Sequence, residues 1–357
     1  MPSPKADPRR LRVGTRGSAL ARCQTALVVE RLGALGWQTE LVPIVTAGDR
    51  RPPDTAWGEG AFVGALREAL LDGAIDLAVH SAKDVPLDGP SDLAIAAYLD
   101  RQDPRDALVL RAEGRAGAAD RGGVADQGEA PPAGLPRGAR VGTDSPRRAG
   151  FLRAARPDLR IVPLHGNVDT RLRRLDAGEV DALVLAAVGL VRLGRADRIT
   201  AWLPLDLVPP APGQGALAVE VRAGAGDPSR AGRTGTAARS STAAPVDALA
   251  ALDEPSVRRA VEAERLVLAL LGGGCRAPIG VAARIEADGG AGRGDEAGVI
   301  EILAGVVEPD GRDRRVVVRR GPVTDWVAVA AEVADLLRPG SRPPRAAAAV
   351  LETRGGR

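Results

Sequence analysis

Aromatic side chains make up 2% of this 357-residue chain: four Trp, two Phe and one Tyr. A single-stranded nucleic-acid platform stacks bases on aromatic faces, so the scarcity weighs against that class of partner. It also means that the core is built from Val, Leu, Ile and Ala. Cysteine is equally rare, and Cys23 and Cys275 make no disulfide framework. His80 and His165 are the only histidines, no paired-ligand spacing for zinc exists, and no metal is expected. No stretch is long and apolar enough to cross a bilayer, and "MPSPKADPRRLRVG" at the start has no apolar leader run. A cytoplasmic protein without membrane contact is the expectation. A dominant charge is missing too, because 49 Lys and Arg against 46 Asp and Glu leave only +3. Bulk charge therefore points to no nucleic-acid partner, and anion binding must come from local arginine clusters.

What is present is enough chain for two or three domains. In "LRVGTRGSALARCQTALVVERLGALGW", Leu11 and Val13 start a strand, Gly14 and Gly17 turn, and Ser18 caps a helix facing inward with Leu20, Leu27, Val28 and Leu32. "ARVGTDSPRRAGFLRAARPDL" repeats the logic: Val141 ends a strand, Ser145 caps, and Pro146 takes the first helical position. "RVGT" occurs in both, and "GAIDLAVHSAKDV" is echoed in the same order by "GEVDALVLAAVGL". The paired echoes suggest two similar α/β lobes with mostly parallel sheets and ligands beyond the carboxyl ends of the strands. The expected organisation is a first lobe of residues 10–110 and 205–222, a second of 137–204, and a small α/β domain of 246–357. Two low-complexity insertions, 111–136 and 223–245, separate them. In the third part, "EPSVRRAVEAERLVLALLGGGC" reads as a helix ended by Gly272, followed by strands with a hairpin turn at Asp310-Gly311.

Several segments could carry chemistry. In "DLAVHSAKDVP" a strand runs into His80, Ser81, Lys83 and Asp84, which places ionisable groups at a strand end. Asp84 beside Lys83 suits acid–base work or the holding of a developing cation, with a solvated ion pair as the plain alternative. Arg16, Arg147, Arg148 and Arg171 lie at strand ends or helix starts, where backbone N–H groups also favour anions. The planar guanidinium grips carboxylates at two points, so the pattern fits a polycarboxylate ligand. Arg173 and Arg174 read as a solvated helix face. "PAPGQGALAVEVR" reads as a tight crossing between lobes, its Gly-x-Gly being weak as a phosphate signal. Cys23 reads as a small packed thiol. Cys275 follows a helix end and three glycines and precedes Arg276, a setting that favours thiolate. The residues leave it open as nucleophile, anchor point or accident.

"VGTRGSALA", "GAFVGALREALLDGAIDLAVHSAKDVP", "DPRDALV", "VGTDSPRR", "GNVDTRL", "PAPGQGALAVE" and "LGGGCRAPIG" together resemble the hydroxymethylbilane synthase (porphobilinogen deaminase) family, in its order and from about residue 10 into the third domain. The resemblance implies a three-domain monomer with two lobes like those of periplasmic binding proteins. It implies a transferase that joins four porphobilinogen molecules head to tail, releasing ammonia each time, on a dipyrromethane cofactor held by a thioether at Cys275. Asp84 matches the catalytic aspartate, which stabilises the azafulvene cation. Lys83, Ser81, Thr143, Ser145, Arg147 and Arg148 match cofactor-binding positions. Arg16, Ser18, Gln24, Arg171, Arg192, Asn167 and His165 match substrate-binding ones.

The chain departs from that family in places. His165 stands where many members have an arginine, which weakens one carboxylate contact because histidine is only partly protonated near neutral pH. Asp144 replaces a small hydroxyl residue, and Glu59 and Gly64 stand where lysines are common. Two other classes account for less of the sequence: a non-catalytic binder of small organic anions, which leaves "LGGGC" and the third domain idle, and an RNA binder using "SPRR" and "RLRR", which the near-zero charge opposes.

Overall fold

The computed structural model describes residues 10–46, 60, 62–111, 134–223, 246–274, 276–287 and 298–340. One sheet holds β1 (Arg10–Arg16), β2 (Gln38–Ile44), β3 (Leu77–Ser81), β4 (Leu93–Leu99) and a late strand, β10 (Leu217–Arg222), in the order β2-β1-β3-β10-β4. A second holds β5 (Asp106–Leu110), β6 (Arg140–Gly142), β7 (Arg160–Val162), β8 (Ala182–Ala186) and β9 (Ala201–Trp202), in the order β7-β6-β8-β5-β9. The two orders correspond strand for strand. β1 and β6, which carry the repeated "RVGT", lie at equivalent places, flanked by parallel neighbours.

The echo has a physical cause. Arg12 donates through Nε and an Nη to Asp76, and the Asp76 carboxylate also accepts the Arg12 backbone N–H. Arg140 and Asp181 repeat the same three bonds in the second lobe. Each pair ties the start of the "RVGT" strand to the Asp that precedes the next central strand. The glycine of each motif lets side chains cross the strand closely: a Cβ on Gly14 would lie 2.3 Å from Ile75, and one on Gly142 2.8 Å from Leu183.

Half of the pairings in each sheet are antiparallel, more than alternating strands and helices suggest. The reason lies in β10 and β5, which enter their sheets from the opposite lobe without a crossover helix and so run against β3 and β8. Residues 106–110, expected with the first lobe, therefore pair in the second sheet as β5. The chain crosses between lobes twice, after Leu99 and before Leu217.

Helix α1 (Ala19–Ala34) is capped by the Ser18 hydroxyl and buries Val28 and Leu32 against Leu11, Val13, Leu77 and Val219. α2 (Gly64–Leu71) covers the other face with Leu66 and Leu70. In the second lobe α3 (Pro146–Ala155) starts at Ser145 and packs Phe151 and Leu152 on Val141 and Val184. α4 (Val168–Asp176), capped by Asn167, and α5 (Ala187–Arg192) cover the opposite face.

Helix α6 (Val246–Leu252), expected with the third domain, instead packs Ala248, Leu249 and Leu252 into the core of the first lobe, and the third domain follows it. α7 (Pro255–Leu270) and α8 (Trp326–Leu337) pack on an antiparallel sheet of β11 (Ile279–Ala287), β12 (Gly298–Val306) and β13 (Arg315–Pro322). Ala263, Val267, Ile300, Ile302 and Val333 form its core. Gly272 ends α7 with φ +68°, and Gly311 turns the hairpin with φ +92°, as the sequence suggests. No helix among the described residues is long and apolar enough to cross a membrane.

Candidate functional site

Strand β3 ends in a single 3-10 turn, Ala82–Asp84, whose Lys83 lines a cavity with Ser145 and Arg147 of the other lobe. Facing Lys83 is the start of α3. Its Ser145 accepts the Arg148 N–H, and Thr143 accepts the Ser145 N–H, so the loop after β6 is folded back on itself. This presents Arg147 and Arg148 in the first turn of a helix, where orphan N–H groups already favour an anion.

The arginines are engaged from behind by a residue that was not singled out from the sequence. Asp106, fully buried on β5, accepts from Arg147 at 2.9 Å, from Arg148 at 2.7 Å and from Gln214 at 2.9 Å. Burial alone would raise its pKa, but the two guanidinium groups and the hydrogen bonds hold the carboxyl well below the usual range. Arg147 also donates to the Pro209 carbonyl and Arg148 to that of Val184. Gln214, from the "PGQG" crossing, accepts from Lys83 at 3.2 Å and donates to the Pro104 carbonyl at 2.6 Å. That crossing, read from the sequence as a mere inter-lobe turn, joins Lys83 of one lobe to Arg148 and Asp106 of the other. Only a glycine fits at its head, because Gly213 has φ +76° and a Cβ there would meet the backbone of Ala82 and Lys83 at 3.0 Å.

Burial pulls the Lys83 pKa down to about 8, with Arg148 and Arg147 pushing the same way and Asp84 and Asp106 opposing. Arg171, near the start of α4, is lowered to about 10 by burial and by Arg148, while Asp144 and Asp84 oppose the fall. Those influences put Arg148, Asp144 and Asp84 each within electrostatic reach of Arg171. Two guanidinium nitrogens here, Nε of Arg148 and Nε of Arg171, are buried without a hydrogen-bond partner. Cations enclosed with unused donors form a site made for an acidic ligand.

The other sequence-selected residues fall into three groups. Gln24 donates to the Ser81 hydroxyl at 2.8 Å, so these two share one edge of the site on α1 and β3. Arg16 lies over the ring of Phe62, 3.9 Å from its centroid. Ser18 and Asn167 act locally as helix caps, accepting from Ala21 and Thr170. Arg192 is buried, and one of its terminal nitrogens donates to the backbone and carboxylate of Asp100 and to the Gly215 carbonyl, so it fastens both crossings. His165 is 7% exposed, with Nδ1 2.9 Å from Asp144. Arg174 pairs with Glu179 on the outer surface, the solvated role expected of it. His80 is buried and its Nε2 lies 3.1 Å from buried Glu220. Cys23, half-buried on α1, lies with its Sγ 2.9 Å from the Arg192 carbonyl.

Cys275 and Glu59 lie outside the described residues. The flanks of Cys275 are nonetheless informative. A cavity is lined on one wall by Lys83, Ser145 and Arg147, and on another by Gly274, Ala277 and Ile279. The residues on either side of the cysteine thus border the space that reaches the cations. Glu264 on α7 holds this junction: fully buried, it accepts from Gly213 N–H at 2.6 Å, Ala283 N–H at 2.7 Å and Arg101 at 2.6 Å. Asp106, Gln214, Glu264 and Asp100 are the residues that sequence reasoning missed. The one available signal was Asp106 within "DPRDALV", a run of charge against a strand.

A family profile described as porphobilinogen deaminase, dipyromethane cofactor binding domain, matches residues 11–229, and its C-terminal domain counterpart matches 258–338. The chain is 44% identical over 304 residues to a porphobilinogen deaminase of Acidothermus cellulolyticus, a match covering 84% of this chain and 80% of that one. It is 46% identical over 286 residues to a porphobilinogen deaminase of Mycobacterium leprae, with 79% and 80% covered. Among solved structures, the methionine-binding protein MetQ overlaps 61% of this chain and 84% of its own, with 15% identity and a TM-score of 0.37.

Proposed function

The chain belongs to the porphobilinogen deaminase family, the hydroxymethylbilane synthases of tetrapyrrole synthesis, and we propose which of its residues carry that transferase reaction. The observation that carries the assignment is the cavity running from the flanks of Cys275 to Lys83, Ser145 and Arg147. Porphobilinogen and every pyrrole built from it bear carboxylates, and the donors of this cleft are cations with enclosed, unused N–H groups.

The dipyrromethane cofactor fits these residues. Cys275 would hold it by a thioether, and Lys83, Ser81, Thr143, Ser145, Arg147 and Arg148 would take its carboxylates. When bound, it supplies the nucleophilic pyrrole carbon onto which the chain is built. Asp106 keeps Arg147 and Arg148 in place so that the ligand meets fixed donors instead of mobile side chains. Arg16, Arg171 and His165 take carboxylates of the incoming substrate, with Gln24 holding Ser81 in register. Arg192, Ser18 and Asn167 serve it by fastening the crossings and starting the helices.

Asp84 is the catalytic group. As ammonia leaves porphobilinogen, positive charge develops on the substrate, and a carboxylate already facing Lys83 and Arg171 can stabilise it. The same carboxylate is placed to accept a proton from the pyrrole that has been joined. The protein acts as a monomer in the cytoplasm on a small-molecule substrate, without nucleic acid or membrane. Incubation with porphobilinogen tests the reading: a linear tetrapyrrole should form with one ammonia per unit added, and absence of both products contradicts it.

A further inference from the structure

We propose that Asp144 and His165 form one carboxylate-binding unit in which Asp144 supplies the charge that lets the buried imidazole serve as a cation. The inference rests on the reading of this cleft as the place where the pyrrole carboxylates bind.

His165 sits in the turn between β7 and α4, and its side chain is 9% exposed. Nδ1 is enclosed, makes no aligned hydrogen bond and lies 2.9 Å from Oδ2 of Asp144. Asp144 comes from a different element, the loop between β6 and α3, and its side chain is 20% exposed. An imidazole used only for packing gains nothing from a carboxylate against one nitrogen, whereas an imidazolium is stabilised by that charge and keeps Nε2–H for a ligand.

The surrounding charges give Asp144 its importance. Arg171 on α4 feels the charge of Asp144 and that of Arg148 on α3, so these arginines stand near the pair. Across the cleft, the turn after β3 brings Lys83 with the same sign and Asp84 with the opposite one. The Asp144 charge is felt at Arg171, so it sits within this group and not outside it. A third cation beside two arginines needs a nearby anion, and Asp144 is the carboxylate in contact with it. An arriving ligand carboxylate adds a second anion, so binding at this place draws a proton onto His165. Asp144 is thus a positioning residue that acts through His165 and makes this part of the site responsive to pH, unlike the arginines beside it.

The chain has two histidines, so 15N-histidine labelling of the holoenzyme gives two pairs of imidazole signals, and the pair lost in His165→Gln belongs to His165. Asp144→Asn should move the titration midpoint of His165 to lower pH by about one unit or more. KM for porphobilinogen, compared between pH 6 and 7.5 so that Lys83 stays charged, should rise with pH in the native enzyme. That rise should begin earlier in Asp144→Asn and vanish in His165→Arg, which carries a fixed cation. An unchanged midpoint in Asp144→Asn overturns the pairing. A KM that is as low in His165→Gln as in the native enzyme overturns the binding role, and this arm stands even if Asp144→Asn does not fold. Native enzyme that makes no tetrapyrrole would instead refute the assigned reaction, leaving the titration to decide the pairing separately.

Discussion

At Asp106, two guanidinium groups and a carboxamide meet on one fully buried carboxylate. Removing it leaves Arg147 and Arg148 uncompensated in the interior, so Asp106→Ala should cost about 3–5 kcal/mol in urea unfolding at neutral pH. Because the native carboxyl titrates below its ordinary range, its stabilising contribution is complete above about pH 4 and is lost as pH falls towards the native value. Asp106→Asn should flatten that acid limb. Lys83 shifts in the same direction for the opposite reason, because burial disfavours its charged form. With its pKa lowered to about 8, the native protein loses this charge at a pH where the unfolded chain keeps it. Stability from this group therefore rises with pH between about 8 and the ordinary value near 10.5. Carboxylate binding weakens over the same range, and the KM for porphobilinogen should climb above about pH 8 in the native enzyme but not in Lys83→Arg, whose guanidinium stays charged. At Asp84, substitution by Asn keeps the shape and removes the charge. Turnover should fall by at least about two orders of magnitude, with the unfolding midpoint nearly unchanged.

Among the elements, close approaches set what each position tolerates. Gly280 opens β11 against the second crossing, and a Cβ there would lie 2.2 Å from the Pro209 carbonyl oxygen and 2.6 Å from its carbon. Backbone cannot yield as a side chain can, so Gly280→Ala should destabilise by about 1–3 kcal/mol and loosen the third domain. Gly33, inside α1 with nothing within 4 Å, should accept Ala with a gain of about 0.4–1 kcal/mol. Denaturant midpoints of the two variants check both. Elements of this kind explain what could be read beforehand. The two "RVGT" strands, the Ser18 and Ser145 caps and the glycine end of α7 are local, and each is encoded within a few adjacent residues. The Arg12–Asp76 and Arg140–Asp181 pairs were present as the two echoes, although their link was not visible. The partners of Asp106, Gln214 and Glu264 are as far as 163 residues away, and no local pattern announces them. The same holds for β5, whose alternation fits either sheet; only the lack of a crossover helix places it in the second.

For the whole molecule, two buried side chains fasten the joints. Arg192 binds the first crossing at Asp100 and the second at Gly215, while Glu264 ties the third domain to Arg101 and Gly213. The lobes, the crossings and the domain that bears Cys275 are therefore coupled through the floor of the cleft. Glu264→Ala should lower the thermal midpoint and separate third-domain unfolding from that of the lobes, which calorimetry would show as a broadened or split transition. Under the proposed attachment at Cys275, the glycines before it would give the tether freedom beside a cavity that Gly274 lines. The mass of the intact, purified protein tests this account most directly. It should equal the chain plus two linked pyrrole units and rise by single pyrrole units when porphobilinogen is added, with both features absent in Cys275→Ala. A native mass equal to the bare chain, with no increments on addition of porphobilinogen, would contradict it.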